Sequence, residues 1–90
     1  MDKSHRHLER IVRGFSNHRR IQMLEVLEAK PELDVLGISR ACGMNYKTVS
    51  DHLRRLAVAG LVLKKTKGVH VQHALSPRGR TTLKFLRTLE

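Results

Sequence analysis

Residues 33–62, LDVLGISRACGMNYKTVSDHLRRLAVAGLV, restrict the possible folds more than any other stretch. Two segments with helical apolar spacing are separated there by only Gly43-Met44-Asn45. Asp34 is placed to cap a short helix from Val35 to Cys42. Asn45 is placed to cap a longer one from Tyr46 to Ala59, with Gly60 as the residue just past its end. Val49, Leu53, Leu56 and Ala57 make the inner stripe of the longer helix. Tyr46, Lys47, Ser50, Asp51, Arg54 and Arg55 are left outside or at its edges. Two helices joined by so tight a turn form a helix-turn-helix, a motif that lays its second helix in the DNA major groove.

The flanks extend the pattern. Leu8, Ile11, Val12 and Phe15 share one face of a first helix, spanning 4–15. Arg6, Arg10 and Arg13 occupy the other side, and Gly14 in the last turn helps to end it. Ser16 or Asn17 can cap a second helix with apolar positions Ile21, Leu24, Val26 and Leu27 and Met23 flanking. Pro31 pushes Lys30 out of the helical region, so that helix stops near Ala29. Leu61–Thr66 and Val69–Leu75 read as two strands around Lys67-Gly68, a weaker turn than Asn-Gly and open to a longer loop. Ser76 caps and Pro77 opens a final helix, 77–89, in which Leu83, Phe85, Leu86 and Leu89 form a wide apolar face. The predicted fold is mainly α with a small β-hairpin: a single domain over 1–90 with the element order of a winged helix-turn-helix.

Charge points to the partner. The formal net charge is +10, which favours polyanions. It is patterned: residues 1–20 carry +4, 21–34 carry −3, 35–60 carry +3 and 61–90 carry +6. The acidic block, Glu25, Glu28, Glu32 and Asp34, is either a solvated helix face or a face turned away from a nucleic acid. A lone cysteine, Cys42, excludes an intrachain disulfide and suits a reducing cytoplasm. No apolar run approaches a membrane span, and the N-terminus has no secretory h-region. Cytoplasmic localisation is expected.

The run Asn45-Tyr46-Lys47-Thr48-Val49-Ser50-Asp51-His52-Leu53-Arg54-Arg55-Leu56, followed by Ala59-Gly60-Leu61-Val62, resembles the ArsR type of winged-helix repressor. That type shows Thr-Val-Ser-x-His-Leu-x-x-Leu and ends in Ala-Gly-Leu-Val. His18-Arg19-Arg20-Ile21 with Leu24 and Leu27 resembles the start of its second helix. Leu75-Ser76-Pro77-Arg78-Gly79-Arg80 is closer to MarR-type winged helices. The resemblance implies DNA binding and a structural place for His52 beside the recognition helix. Metal-sensing ArsR proteins carry Cys-x-Cys in the third helix, where this chain has Asp34-Val35-Leu36-Gly37. The resemblance therefore does not extend to a metal site.

The residues expected to meet DNA follow from position. The first half of a recognition helix faces the base edges, here Asn45, Tyr46, Lys47, Thr48, Ser50 and Asp51. Lys47 can donate to guanine. Asn45 or Ser50 can bond a base edge or a phosphate, and Tyr46 can stack on a sugar or meet a thymine methyl. Asp51 either accepts from cytosine or orients Lys47 or Arg55 one turn away. Arg54 and Arg55 are expected on phosphates or in solvent. The hairpin's Lys64, Lys65, Lys67 and His70 either follow the backbone and minor groove or protect an exposed strand edge. Arg78 and Arg80 oppose the dipole at the start of the last helix, which calls for a phosphate, a partner carboxylate, or tolerance through salt screening. His5-x-His7 and His70-x-x-His73 lack neighbours at metal-ligand spacing, and 70 and 73 point to opposite faces of a strand. Cys42 is expected as a buried thiol between the motif helices.

The terminal helices carry more apolar surface than one small core needs. Leu8, Ile11, Val12 and Phe15 are expected to meet Leu83, Leu86 and Leu89 of both chains in a homodimer, unless they only close the chain's own core. The expected function is a sequence-specific double-stranded DNA-binding regulator, a repressor, with no cofactor, no metal, no membrane contact and no enzymatic role. The rivals are a sequence-tolerant architectural DNA binder and a winged helix that binds only protein.

Overall fold

A computed structural model describes residues 4–90. The elements run α1 (His5–Phe15), α2 (His18–Ala29), α3 (Val35–Cys42), α4 (Tyr46–Val58), β1 (Val62–Lys67), β2 (His70–Leu75) and α5 (Pro77–Arg87). This is the mainly helical winged helix-turn-helix expected from the sequence. The expected domain of 1–90 also includes residues 1–3, which lie outside the described residues.

Each helix begins at a short polar side chain that accepts from the first turn. Asn17 Oδ1 takes the Arg19 and Arg20 amides at 2.9 and 3.1 Å. Asp34 Oδ1 takes the Gly37 amide at 2.8 Å. Ser4 and Ser76 do the same for α1 and α5. The motif's two helices end alike. Gly43 and Gly60 take φ values of +65° and +74°. The following amides fold back, Met44 N–H to Ser39 O (3.1 Å) and Leu61 N–H to Leu56 O (2.9 Å). This 6→1 closure needs a left-handed residue, which glycine takes without steric cost.

Met23, Leu24 and Leu27 of α2 lie at the centre of the core with Ile38, Val49, Leu53 and Leu56. Leu61, Val62 and Leu75 at the wing base and Leu83 of α5 close it. Met23 was expected to flank the α2 face; it is fully buried, while Ile21 is only half-buried. Gly14 does not serve to end α1. It is the one buried residue of that helix, and a Cβ there would overlap the Ala59 side chain. Its missing side chain lets α1 lie directly on the end of α4.

The strands pair antiparallel from Val62–Leu75 to Lys67–His70. The loop is therefore Gly68-Val69, two residues long and one position beyond the expected Lys67-Gly68. Gly68 takes φ +61°, as the first central residue of a tight hairpin turn can when it is glycine. The link between α2 and α3 also reaches the wing. Leu33 forms a bridge with His73, fixed by Glu32 N–H to His73 O and His73 N–H to Leu33 O, both 2.9 Å. Glu32 adopts φ +69° to make it, an uncommon position for a side-chain-bearing residue.

Candidate nucleic-acid interface

The inner stripe of α4 is buried and its other face is open. Val49, Leu53 and Leu56 are covered, whereas Asn45, Tyr46, Lys47, Thr48, Ser50, Asp51, Arg54 and Arg55 are all exposed. Tyr46 leaves 58% of its surface to solvent, an aromatic face with a polar tip open to a partner. Asn45 is occupied in part: its Oδ1 accepts the Thr48 amide at 2.8 Å. Its side-chain NH2 remains as a donor. Of the two roles expected for Asp51, orientation of Lys47 or Arg55 is not the one seen. Its carboxylate lies 3.7 Å from Arg54 Nη2 one turn on, with both side chains largely in water. Such a pair contributes little to stability.

The wing presents Lys64, Lys65, Lys67 and His70, all exposed. His73 faces inward and is buried, so 70 and 73 do lie on opposite faces. Burial first, and then Lys64, keep its imidazole below the ordinary histidine range. Its Nδ1 is buried without a hydrogen-bond partner. Among the described residues no three His, Cys, Asp or Glu side chains are grouped to hold a metal ion.

Arg78 and Arg80 each serve a backbone carbonyl of this chain. Arg78 Nη1 donates to Ala59 O at 3.0 Å, and Arg80 Nη1 to Leu75 O at 3.2 Å. The first closes the carboxyl end of α4, where a cation is electrostatically favoured. The acidic block likewise has local duties. Asp34 caps α3, and Glu28 accepts two bonds from Arg87 of α5, at 2.5 and 3.1 Å. The Arg87 bond holds the Glu28 carboxyl below its usual range.

A three-way tie behind α4 was not anticipated. Arg20 Nε donates to Gly14 O at 2.8 Å and Nη2 to Arg13 O at 3.2 Å, both at the carboxyl end of α1. Its Nη1 lies 3.1 Å from His52 Nδ1 on α4. Guanidinium only donates, so His52 must be neutral with its proton on Nε2. Burial, then the cations of Arg20 and Arg55, lower the His52 pKa. The resemblance to ArsR-type repressors implied a structural place for His52; the partner 32 positions away was invisible in it. Cys42 is buried as expected, and burial pushes its thiol pKa up.

The terminal helices divide. Leu83 is 1% exposed and belongs to the chain's own core, so it has no surface left for a second copy. Ile11 and Phe15 are half-buried against that core, and Leu8 and Leu86 are also half-buried. Val12 and Leu89 are 50% and 66% exposed, joined by Phe85 at 55%, which had not been assigned to an interface. No described helix is long and apolar enough to cross a membrane.

Comparison with known proteins agrees with this geometry. A possible transcriptional regulatory protein from Mycobacterium bovis (fragment 1–100, crystal structure) is 30% identical with a TM-score of 0.79, over 92% of this chain and 88% of that one. A solution structure from M. bovis, of a homodimeric winged helix-turn-helix DNA-binding domain from a possible ArsR-family transcriptional regulator, gives 29% and 0.78 over 98% and 86%. HlyU from Vibrio cholerae gives 27% and 0.82 over 99% and 97%. No curated protein sequence matches the chain. The model of the bacterial regulatory protein arsR family matches residues 17–64, which take in the whole helix-turn-helix and the start of the wing. With that match spanning the recognition helix and its supports, the chain belongs to the ArsR family of DNA-binding winged helix-turn-helix transcriptional regulators.

Proposed function

We propose that this regulator is a homodimeric repressor that reads duplex DNA with the first half of α4 and steadies it with the wing. The observation that carries the reading is the exposed, chemically varied surface of Asn45, Tyr46, Lys47, Thr48, Ser50 and Asp51 over a fully buried Val49–Leu53–Leu56 stripe. Binding by charge alone needs only lysine and arginine; a mixed donor, acceptor and aromatic face suits base edges. Lys64, Lys65, Lys67 and His70 would lie on phosphates or in the minor groove, as would Arg54 and Arg55 where they reach the backbone. Pairing through Val12, Phe85 and Leu89, with Leu8 and Leu86 at the rim, would set two recognition helices about 34 Å apart, one duplex turn. The homodimeric M. bovis domain supports that assembly. Repression would follow from occupying an operator that overlaps a promoter.

Selection of bound fragments from random duplexes tests the reading. The expected product is a palindrome bound at least about 10³-fold more tightly than random DNA. Equal affinity for both would make the protein a sequence-tolerant binder instead. On the selected site Lys47→Ala is expected to cost about 1–3 kcal/mol and relax one base position. Lys65→Ala and Lys67→Ala should weaken all sequences alike and lower the salt slope by about 1 each.

A further inference from the structure

The hairpin ends in a residue that its own fold does not ask for. Val69 is 93% exposed, the highest value among the exposed large apolar residues. Gly68 takes the first place of the two-residue turn with φ +61°, and Val69 beside it keeps a negative φ. A turn of this kind has glycine first and commonly a small polar residue second. The branched apolar side chain of Val69 packs on nothing there.

The tip is also the outermost point of the wing. His73 is the last buried residue of β2 and lies four positions from Val69. At about 3.4 Å per residue the turn stands roughly 14 Å clear of the core. The DNA minor groove is about 7.5 Å deep and 6 Å wide. A side chain at the turn can reach its floor, whereas the ribbon is too broad to follow.

Charge surrounds the tip without occupying it. Lys67 pairs across the ladder with His70 directly below the turn, and Lys65 lies on the same face opposite Gln72. Lys64 is on the other face, opposite His73. No acidic residue stands between Asp51 and Glu90 in the sequence. Glu32 and Asp34 border the far edge of β2 with His70 and Gln72, so the β1 side is the cationic one. Lysines on both faces of a ribbon, with an apolar point beyond them, suit a groove walled by two rows of phosphate.

The floor of that groove depends on sequence. At A·T its centre is the adenine C2–H, with adenine N3 and thymine O2 as acceptors on either side. At G·C the guanine N2 amino group stands in that place. A valine methyl can rest on C2–H while lysines donate to the acceptors. Against guanine it covers a donor that it cannot bond, and a buried unpaired donor is costly.

We propose that Val69 selects A·T pairs in the minor groove beside each recognised half-site, through an apolar contact with the floor that the guanine amino group blocks. The proposal rests on the DNA reading above and adds a specificity-determining residue to it.

The test uses the full chain and its selected duplex, with the pair under the wing tip located by scanning the flank and then made A·T, G·C or inosine·C. Inosine keeps the major-groove edge of guanine and lacks its amino group. The wild type is expected to bind the A·T and inosine·C duplexes at least about tenfold more tightly than the G·C one. Val69→Ile should keep that preference. Val69→Ser should bind all three alike, with its melting temperature unchanged. Inosine·C behaving like G·C would overturn the proposal. So would a Val69→Ser variant that keeps the preference, since lysines following groove width alone would then explain it. A Val69→Ser variant with altered sedimentation would assign the tip to a contact between copies instead. Indifferent flanks around a tightly bound half-site pair would strike this inference alone, whereas failure to select any duplex would strike the DNA reading beneath it.

Discussion

Gly79→Ala sets two physical effects against each other, and the structure says which prevails. Gly79 lies buried in the first turn of α5. In an exposed helix, glycine to alanine would stabilise by about 1 kcal/mol. Here a Cβ would overlap the carbonyl oxygen of Leu61 and sit 3.2 Å from its carbonyl carbon. Both atoms are backbone and cannot rotate away, so α5 must retreat by roughly an ångström to recover normal contact. The bonds that seat the helix are at stake: Ser76 N–H to Leu61 O (3.0 Å), Ser76 Oγ to Gly60 O (2.5 Å) and Arg78 Nη1 to Ala59 O (3.0 Å). Overpacking costs about 1–3 kcal/mol, and three weakened bonds at about 1 kcal/mol each place this case high in that range or above it. After the propensity gain the net loss is about 2–3 kcal/mol. For a domain of this size that is a fall of about 10–20 °C in melting temperature, read by circular dichroism. A variant that melts at the wild-type temperature or above would show that α5 is not seated on Leu61, and the described wing base would be wrong.

Two further outcomes follow from the same contacts. His52 and His73 both have lowered pKa values, chiefly through burial, so the unfolded chain takes up protons near the ordinary 6.5 while the folded one resists. Stability should be complete above that pH and fall as pH drops below it, by up to about 1.4 kcal/mol per pH unit for each histidine. Urea melts across this window check it, with His52→Gln expected to flatten the slope and a flat wild-type profile contradicting it. Phe85→Asp with Leu89→Asp should shift sedimentation from dimer to monomer without unfolding, whereas Leu83→Asp should unfold the protomer. A wild-type protein that stays monomeric at micromolar concentration would remove the palindrome.

Local features carried the sequence reading furthest. Asn45, Asp34 and Gly60 act within one helical turn of themselves, so their chemistry marks helix ends without knowledge of the rest of the fold. The Val49–Leu53–Leu56 stripe was legible for the same reason. What escaped notice was long-range or depended on docking angle. Gly14 and Gly79 each serve a neighbour more than 40 residues or about 18 residues away, Ala59 and Leu61 respectively, and a glycine's missing side chain leaves no pattern. Arg20 meets partners on two other helices. The bonds Arg78 and Arg80 make within the chain were not foreseen, because the carbonyls they serve lie outside their own helix. The apolar face of α5 was too wide to show which edge turned inward; packing chose Leu83 and left Phe85 outside. The Leu33–His73 bridge is one residue long and has no alternation to reveal it. Of the candidate interface, exposure and the capping duty of Asn45 were foreseen, while the Asp51–Arg54 pairing depended on side-chain geometry the sequence does not carry.

The most direct measurement is an amide-shift map of the protein bound to its selected duplex. The largest changes are expected at 45–51 and at 64–70, with α5 affected only through the partner copy. Changes concentrated on the acidic stretch 25–34 or on the terminal helices, with Lys47 and Ser50 silent, would contradict it.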